Sequence, residues 1–131
     1  YSKLADLKVQ MLEEATKDNT GLVVNFCLSY GGRQEIVDAT KKIATDVLEK
    51  KLNINDINEE LFKKYLYKNL PDIDFLIRTS GENRVSNFML WQISYAEMYF
   101  PKVYFPDFTP EQLEKGIKEY EKRDRRFGNV K

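Results

Sequence analysis

Apolar residues recur along this chain in two patterns, one typical of helices and the other of buried strands. Helical spacing is present from the start, where Leu4, Leu7 and Met11 recur every three or four residues. A run of strand length rich in β-forming residues follows at residues 22–28, and a short apolar run at residues 75–77. Because segments of the two kinds alternate, the sequence predicts an α/β fold in which helices flank a parallel-stranded sheet.

The other predicted elements follow the same alternation. The first is a helix carrying Ile36, Ile43 and Val47, and the second is a helix capped by Asp56 or Asn58 and carrying Leu61, Phe62, Tyr65 and Leu66. A core helix follows over Phe88, Leu90, Trp91, Ile93 and Tyr95, and then a short strand at residues 103–105. The last is a helix that begins at Thr109 and Pro110 and carries Leu113, Ile117 and Tyr120.

A candidate anion site lies where the run at residues 75–77 ends. Arg78 ends the strand, and Arg84 and Ser86 follow in a polar turn before the predicted core helix. Guanidinium groups, a hydroxyl and a helix N-terminus suit a diphosphate, whose oxygens accept bidentate hydrogen bonds. The alternative is a pair of surface arginines held by Glu82 and Asp72.

A second turn of this kind contains Gly31, Gly32 and Arg33, between the run at residues 22–28 and the next helix. Adjacent glycines let the backbone approach a ligand closely, but they are equally consistent with an ordinary turn between a strand and a helix. We expect Cys27 to be a core thiol, and Trp91 and the aromatic residues around it to be core residues or dimer contacts, with direct ligand contact as the alternative.

Composition narrows the function classes. The 131 residues suit one domain, and a formal net charge of +0 gives no support to nucleic acid as a partner. A single cysteine excludes an internal disulfide, and the absence of histidine excludes histidine-based catalysis and histidine metal sites. No apolar run approaches the roughly 20 residues of a membrane span, so we expect a cytoplasmic setting.

Four segments resemble the signature of the cis-prenyltransferases, and among them that of the undecaprenyl diphosphate synthases. They read RTSGENRVSNFMLWQ, YAEMYF, SYGGRQEI and RDRRFG, and together they extend over nearly the whole chain. The resemblance implies the cis-prenyltransferase fold and a magnesium-dependent transferase. Such an enzyme condenses isopentenyl diphosphate with an allylic diphosphate such as farnesyl diphosphate and forms a cis double bond.

The resemblance also implies roles for particular residues. Arg78, Arg84 and Ser86 would bind the diphosphate of isopentenyl diphosphate, and Glu97 would be a carboxylate related to Mg²⁺. The last segment would reach across a homodimer to complete the partner's active site. The resemblance implies this cross-dimer role for Arg126 and Gly128. It also implies that Gly31, Gly32, Arg33 and Glu82 belong to structural or active-site loops. The product would be a lipid carrier for the cell wall, which a peripheral enzyme delivers to the membrane.

The chain departs from the family at its beginning. The family's D-G-N-G-R motif, whose aspartate serves the allylic diphosphate and Mg²⁺, does not occur in these residues. We therefore expect residues 1–131 to be the C-terminal part of one cis-prenyltransferase domain, with no catalytic residue in this piece and no turnover by the piece alone. Smaller departures are Ser29, where asparagine is common, and Asn83, where histidine is frequent.

Two other functions remain open from the sequence. One is a non-catalytic accessory subunit that activates a true synthase, although such a subunit has no physical use for the arginines of a diphosphate site. The other is a general phosphate-binding α/β domain, which zero net charge and the lack of a G-x-x-x-x-G-K motif disfavour.

Overall fold

The computed structural model describes residues 3–130, so Tyr1 lies outside the described residues. Helices account for most of the regular structure, and short segments separate them. The elements in chain order are α1 (Lys3–Thr16), α2 (Gly32–Leu48), a 3-10 helix (Ile54–Asp56), α3 (Glu59–Tyr65), β1 (Phe75–Ile77), β2 (Glu97–Tyr99), a second 3-10 helix (Phe105–Asp107) and α4 (Pro110–Glu121).

Two short strands form a parallel pair near the centre of the fold. Phe75 of β1 lies opposite Glu97 of β2, and Ile77 lies opposite Tyr99. The Arg78 N–H extends the pairing by donating to the Tyr99 carbonyl over 3.0 Å. The predicted strand at residues 75–77 and its parallel pairing are therefore confirmed.

Helix α4 packs across this strand pair through a buried glycine. A Cβ atom at Gly116 would lie 3.1 Å from the Tyr99 ring and 3.6 Å from the Phe75 ring, so a side chain there would require the Tyr99 ring to shift. Tyr120 adds a ring contact with Phe75 at 5.2 Å between centroids. The predicted start of this helix is confirmed, because Thr109 is its N-cap and Pro110 its first residue.

Helix α2 supplies the other part of the core. Its buried residues are Gly32, Glu35, Ala39 and Ile43, which recur every three or four positions as an inward-facing helix surface requires. Helix α3 packs against α2. Of the two predicted caps of α3, the structure selects Asn58, whose side chain accepts the Leu61 N–H at 2.9 Å.

The predicted strand at residues 22–28 is wrong for the described chain. These residues are extended but exposed, with Leu22 at 92% and Phe26 at 75% of their accessible surface. A strand needs a neighbour that accepts its backbone hydrogen bonds, and none of the described strands lies beside this segment. For the same reason Cys27, expected in the core, is exposed.

The predicted core helix over residues 88–95 is a series of tight turns. Positive φ angles at Ser86 (46°), Asn87 (64°) and Met89 (43°) are incompatible with a right-handed helix. Only part of the segment is buried: Met89, Gln92 and Ile93 are inside, whereas Tyr95 is 59% exposed.

The predicted strand at residues 103–105 is also wrong, because the paired strand is Glu97–Tyr99. The Val103 carbonyl accepts the Ser80 N–H at 2.8 Å, and Phe105 and Pro106 then enter a 3-10 helix. Glu97 consequently lies at the start of a strand.

Candidate functional site

The carboxyl end of β1 brings the predicted diphosphate ligands together. Arg78 follows the last residue of the strand, and its Nη1 donates to the Ser86 hydroxyl at 2.8 Å and to the Arg84 carbonyl at 2.7 Å. One guanidinium nitrogen therefore closes the loop of residues 79–86 on itself. Ligands of open α/β sheets bind at this end of the strands.

Arg84 and Arg78 line a shallow cleft beside this loop. The Arg84 guanidinium forms an ion pair with the Glu82 carboxylate, and its side chain is 60% exposed. Asp72, the other expected partner of the arginines, pairs with Lys63 at 3.0 Å. The cleft has a volume of about 210 Å³ and is lined by Leu76, Ile77, Arg78, Arg84, Val85 and Phe88. It therefore combines two cations with an apolar wall.

The turn containing Gly31 and Gly32 packs against the segment that follows Ser86. The Gly32 N–H donates to the Asn87 carbonyl at 2.7 Å, and the Arg33 N–H donates to Asn87 Oδ1 at 2.9 Å. A Cβ atom on Gly32 would lie 2.9 Å from Leu90 Cγ and 3.1 Å from the Asn87 oxygen. The two glycines thus let α2 begin directly against this segment.

Sequence reasoning missed a buried polar cluster next to this contact. Glu35 is 3% exposed, and its carboxylate accepts hydrogen bonds from the Tyr30 hydroxyl, from the Tyr67 N–H at 3.2 Å and from Gln92 Nε2 at 3.3 Å. Burial and the bond to Glu35 raise the pKa of Tyr30. The sequence signal that could have indicated the burial of Glu35 was its position, four residues before Ala39 on the inward face of α2.

Glu97 lies apart from Arg78, the first of the predicted diphosphate ligands. It begins β2, whereas Arg78 follows the end of β1, so three residue steps of about 3.3 Å, or roughly 10 Å, separate their positions along the strand pair. The Glu97 side chain is 23% exposed and is paired with Arg123 at 3.4 Å. Within residues 3–130, no three acidic, cysteine or histidine side chains group together as a metal site. The described residues therefore do not by themselves form a complete Mg²⁺ site, and Glu97 could serve only in one completed by other ligands.

The C-terminal segment is anchored by Arg125. Its Nη1 donates to Asp74 Oδ1 at 2.6 Å, and its Nη2 donates to the Tyr95 carbonyl at 3.2 Å. The guanidinium also lies 4.5 Å from the centre of the Phe127 ring. The bond to Asp74 is the main cause that raises the pKa of Arg125. These contacts fix the backbone on either side of Arg126.

The predicted cross-dimer residues are exposed next to this anchor. Arg126 pairs only weakly with its neighbour Asp124, at 3.6 Å, and its side chain is 59% exposed. Gly128 has a φ of 80°, in the left-handed region that favours glycine, and a Cβ there would meet the Tyr95 hydroxyl at 3.7 Å.

A larger hollow of about 480 Å³ lies beside α4, lined by Tyr99, Lys115, Lys118, Glu119, Lys122 and Arg123. Its volume exceeds that of the cleft at Arg78, but most of its cations are already neutralised. Lys118 pairs with Glu114 and Lys122 with Glu119, both at 2.8 Å. The cleft at Arg78 therefore remains the candidate diphosphate site. None of the helices in residues 3–130 has the length and apolar character needed to span a membrane.

The fold and the cleft together define an α/β protein with an arginine-lined cleft at the carboxyl end of a parallel strand. Comparison with known proteins identifies the family. A family model described as "Putative undecaprenyl diphosphate synthase" matches residues 2–128. The chain therefore belongs to the cis-prenyltransferase family of undecaprenyl diphosphate synthases and their relatives.

Two sequence relatives illustrate the match. An isoprenyl transferase of Clostridium perfringens is 52% identical over 119 residues, which cover 90% of this chain and 47% of the relative. A tritrans,polycis-undecaprenyl-diphosphate synthase (geranylgeranyl-diphosphate specific) of Pyrococcus abyssi is 53% identical over 117 residues, covering 88% of this chain and 44% of the relative. The chain spans about half the length of the curated relatives it matches.

Solved structures confirm the predicted fold. Lavandulyl diphosphate synthase from Lavandula x intermedia, in complex with dimethylallyl diphosphate, superposes with a TM-score of 0.90 at 37% identity, covering 95% of this chain and 54% of that one. A probable undecaprenyl diphosphate synthase from Campylobacter jejuni gives 0.82 at 40% identity, covering 98% of this chain and 58% of that one.

Proposed function

We propose that this chain supplies the isopentenyl diphosphate half of a polyprenyl diphosphate synthase that forms cis double bonds. The observation that carries the proposal is that Arg78 and Arg84 line one cleft at the end of β1, where Arg78 is hydrogen-bonded to Ser86. The family membership of the chain and the transferase names of its relatives support the same reaction class.

The cleft matches isopentenyl diphosphate in chemistry. This substrate has a charged diphosphate at one end and a short branched hydrocarbon at the other. Arg78 and Arg84 would bind the diphosphate, and Leu76, Val85 and Phe88 would contact the hydrocarbon. A diphosphate would compete with Glu82 for the Arg84 guanidinium, because the two anions need the same donors.

In this proposal the residues of the chain bind and orient the second substrate. Holding its diphosphate fixes the direction of its double bond toward the allylic carbon, and such positioning can account for much of a condensation rate. Mg²⁺, when bound, would neutralise charge on the leaving diphosphate. A complete Mg²⁺ site would require ligands from outside the described residues, and Glu97 remains the predicted contribution of this chain.

We further propose that turnover requires the part of the relatives that this chain does not cover, including the residues that bind the allylic diphosphate. The exposed apolar segment at residues 22–28 supports this division, because Leu22 and Phe26 would be covered by such a part. A homodimer that uses Arg126 and Gly128, and delivery of the product at the membrane surface, belong to the same proposal. The intact arginine cleft argues against a purely accessory subunit.

The test is incorporation of labelled isopentenyl diphosphate into extractable lipid, with farnesyl diphosphate and Mg²⁺ present. The assay compares this chain alone with a chimera in which the uncovered part of the Clostridium perfringens relative precedes it. We expect no product from the chain alone and product from the chimera. We also expect Arg78→Ala to abolish the activity of the chimera.

Product from the chain alone would refute the proposed division of the active site. An Arg78→Ala chimera as active as its parent would refute the proposed isopentenyl diphosphate site. The Lys118→Ala chimera is the matched control, because Lys118 is an exposed cation paired with Glu114 outside the cleft.

A further inference from the structure

Hydrogen bonds to one residue, Asn87, join the predicted diphosphate loop to the start of α2. Its backbone carbonyl accepts the Gly32 N–H at 2.7 Å, and its Oδ1 accepts the Arg33 N–H at 2.9 Å. These are the first two residues of α2, whose N–H groups have no partner within the helix. Asn87 therefore caps α2 from a segment 54 residues away in sequence.

Asn87 is also the immediate neighbour of Ser86, whose hydroxyl accepts a hydrogen bond from Arg78 Nη1 at 2.8 Å. Its φ is 64°, in the left-handed region, where asparagine is tolerated better than most side chains. The Phe88 N–H closes the turn by donating to the Val85 carbonyl at 3.0 Å. A displacement of Asn87 would therefore move Ser86, and with it the hydrogen bond that orients Arg78.

The glycines of the second turn are fitted to this side chain. A Cβ atom on Gly31 would lie 3.0 Å from Asn87 Nδ2. A Cβ atom on Gly32 would lie 3.1 Å from the Asn87 carbonyl oxygen. The glycine turn and the asparagine thus form one contact, and this contact fixes the position of the arginine loop relative to α2.

We propose that Asn87 is a positioning residue of the isopentenyl diphosphate site, which sets the Ser86 hydroxyl and the Arg78 guanidinium by clamping their loop to the N-terminus of α2. This inference rests on the proposed function, since it assigns Asn87 to that site. It does not require Asn87 to touch the substrate.

The chain offers a matched control for this role. Asn58 caps α3 with the same chemistry, because its Oδ1 accepts the Leu61 N–H at 2.9 Å. Asn58→Ala and Asn87→Ala therefore remove the same kind of cap, but only Asn87 is bonded next to the arginine loop. Asn87→Gly is the second variant, since glycine keeps the left-handed backbone and loses only the side-chain acceptor.

The experiment measures the affinity of the chain for isopentenyl diphosphate by calorimetry, together with its melting temperature. We expect Asn87→Ala to weaken binding about tenfold, Asn87→Gly to weaken it less, and Asn58→Ala to leave it within about twofold, while both alanine variants lower the melting temperature. Equal affinities for Asn87→Ala and the parent would overturn the inference, and so would equal weakening by Asn58→Ala.

A ligand-free measurement separates this inference from the proposed function. In nitrogen-15 spectra we expect Asn87→Ala to shift the Arg78 side-chain resonance and to expose the Gly32 and Arg33 amides to exchange, whereas Asn58→Ala shifts neither. A parent chain that fails to bind isopentenyl diphosphate would defeat the proposed function. An unchanged Arg78 resonance in Asn87→Ala would defeat the positioning role, whatever the ligand.

Discussion

Arg78 Nη1 lies 2.8 Å from Ser86 Oγ, and this hydrogen bond joins the end of β1 to the far side of the loop that follows it. The same nitrogen donates a second hydrogen bond to the Arg84 carbonyl. The loop is therefore arranged around the guanidinium that we assign to the substrate diphosphate. Residues that fix this loop from outside should matter as much as the residues that line the cleft.

Gly32→Ala should destabilise the chain by about 1–3 kcal/mol, the usual effect of overpacking a tight contact. The new Cβ would lie 2.9 Å from Leu90 Cγ and 3.0 Å from the Leu90 backbone nitrogen, and the backbone cannot easily move away. Gly21→Ala is the control, because a Cβ there has no atom within 4 Å. Urea unfolding checks both variants, and an equal effect at the two positions would contradict the packing described for Gly32.

The sequence predicted the parts of this site that depend on local chemistry. The apolar run before Arg78 predicted β1, which the structure confirms. The motif around Arg84 and Ser86 predicted the proposed ligands, which the structure brings to the end of that strand. The sequence pattern could not predict the turns over residues 88–95, because hydrophobic spacing carries no information about positive φ angles. The Asn87 contact was missed for the same reason.

Strand pairing set the other limit on prediction. Residues 97–99 and 103–105 are both short runs rich in apolar and aromatic residues, and the hydrogen bonds to β1 select the first. Residues 22–28 have strand composition, but composition does not provide a neighbouring strand. The only sign in the sequence that Glu35 is buried was its position among the inward-facing residues of α2.

Glu35→Ala should lower the free energy of unfolding by about 3 kcal/mol, because the buried Gln92 donor and the partly buried donors on Tyr30 and Tyr67 would lose their shared acceptor. Glu14→Ala, at an exposed ion pair, should change it by less than about 1 kcal/mol. Denaturant titrations of the two variants compare the losses directly. A small loss for Glu35→Ala would show that the cluster does not stabilise the fold.

Stability should fall at alkaline pH through tyrosines that donate to carboxylates. The hydrogen bond to Asp38 raises the pKa of Tyr67 to about 12, from a usual value of 10.0. Because the folded-state pKa is the higher one, this contribution is fully present below about pH 10 and is lost as the pH rises to about 12.

Melting temperatures measured from about pH 8 to about pH 12 test this expectation. Tyr67→Phe has no proton to lose, so its melting temperature should fall less steeply over this window than that of the parent. Parallel curves for the two proteins would show that Tyr67 does not contribute to the alkaline loss.

Arg125→Ala should release the C-terminal segment. The substitution removes the contacts with Asp74, the Tyr95 carbonyl and the Phe127 ring, so amides of residues 122–129 should exchange with solvent faster. Arg126→Ala should leave exchange unchanged, because the Arg126 side chain is 59% exposed and its ion pair with the neighbouring Asp124 is long, at 3.6 Å. Equal acceleration in the two variants would mean that Arg125 is not the anchor.

Binding of isopentenyl diphosphate to this chain, measured by calorimetry for the parent and for Arg78→Ala, tests the central claim most directly. We predict that the parent binds and that Arg78→Ala binds about tenfold more weakly or worse, with an unchanged circular dichroism spectrum. The exposed-cation control Lys118→Ala should bind like the parent. Undiminished affinity in Arg78→Ala, or no binding by the parent, would contradict the claim that this cleft holds the second substrate.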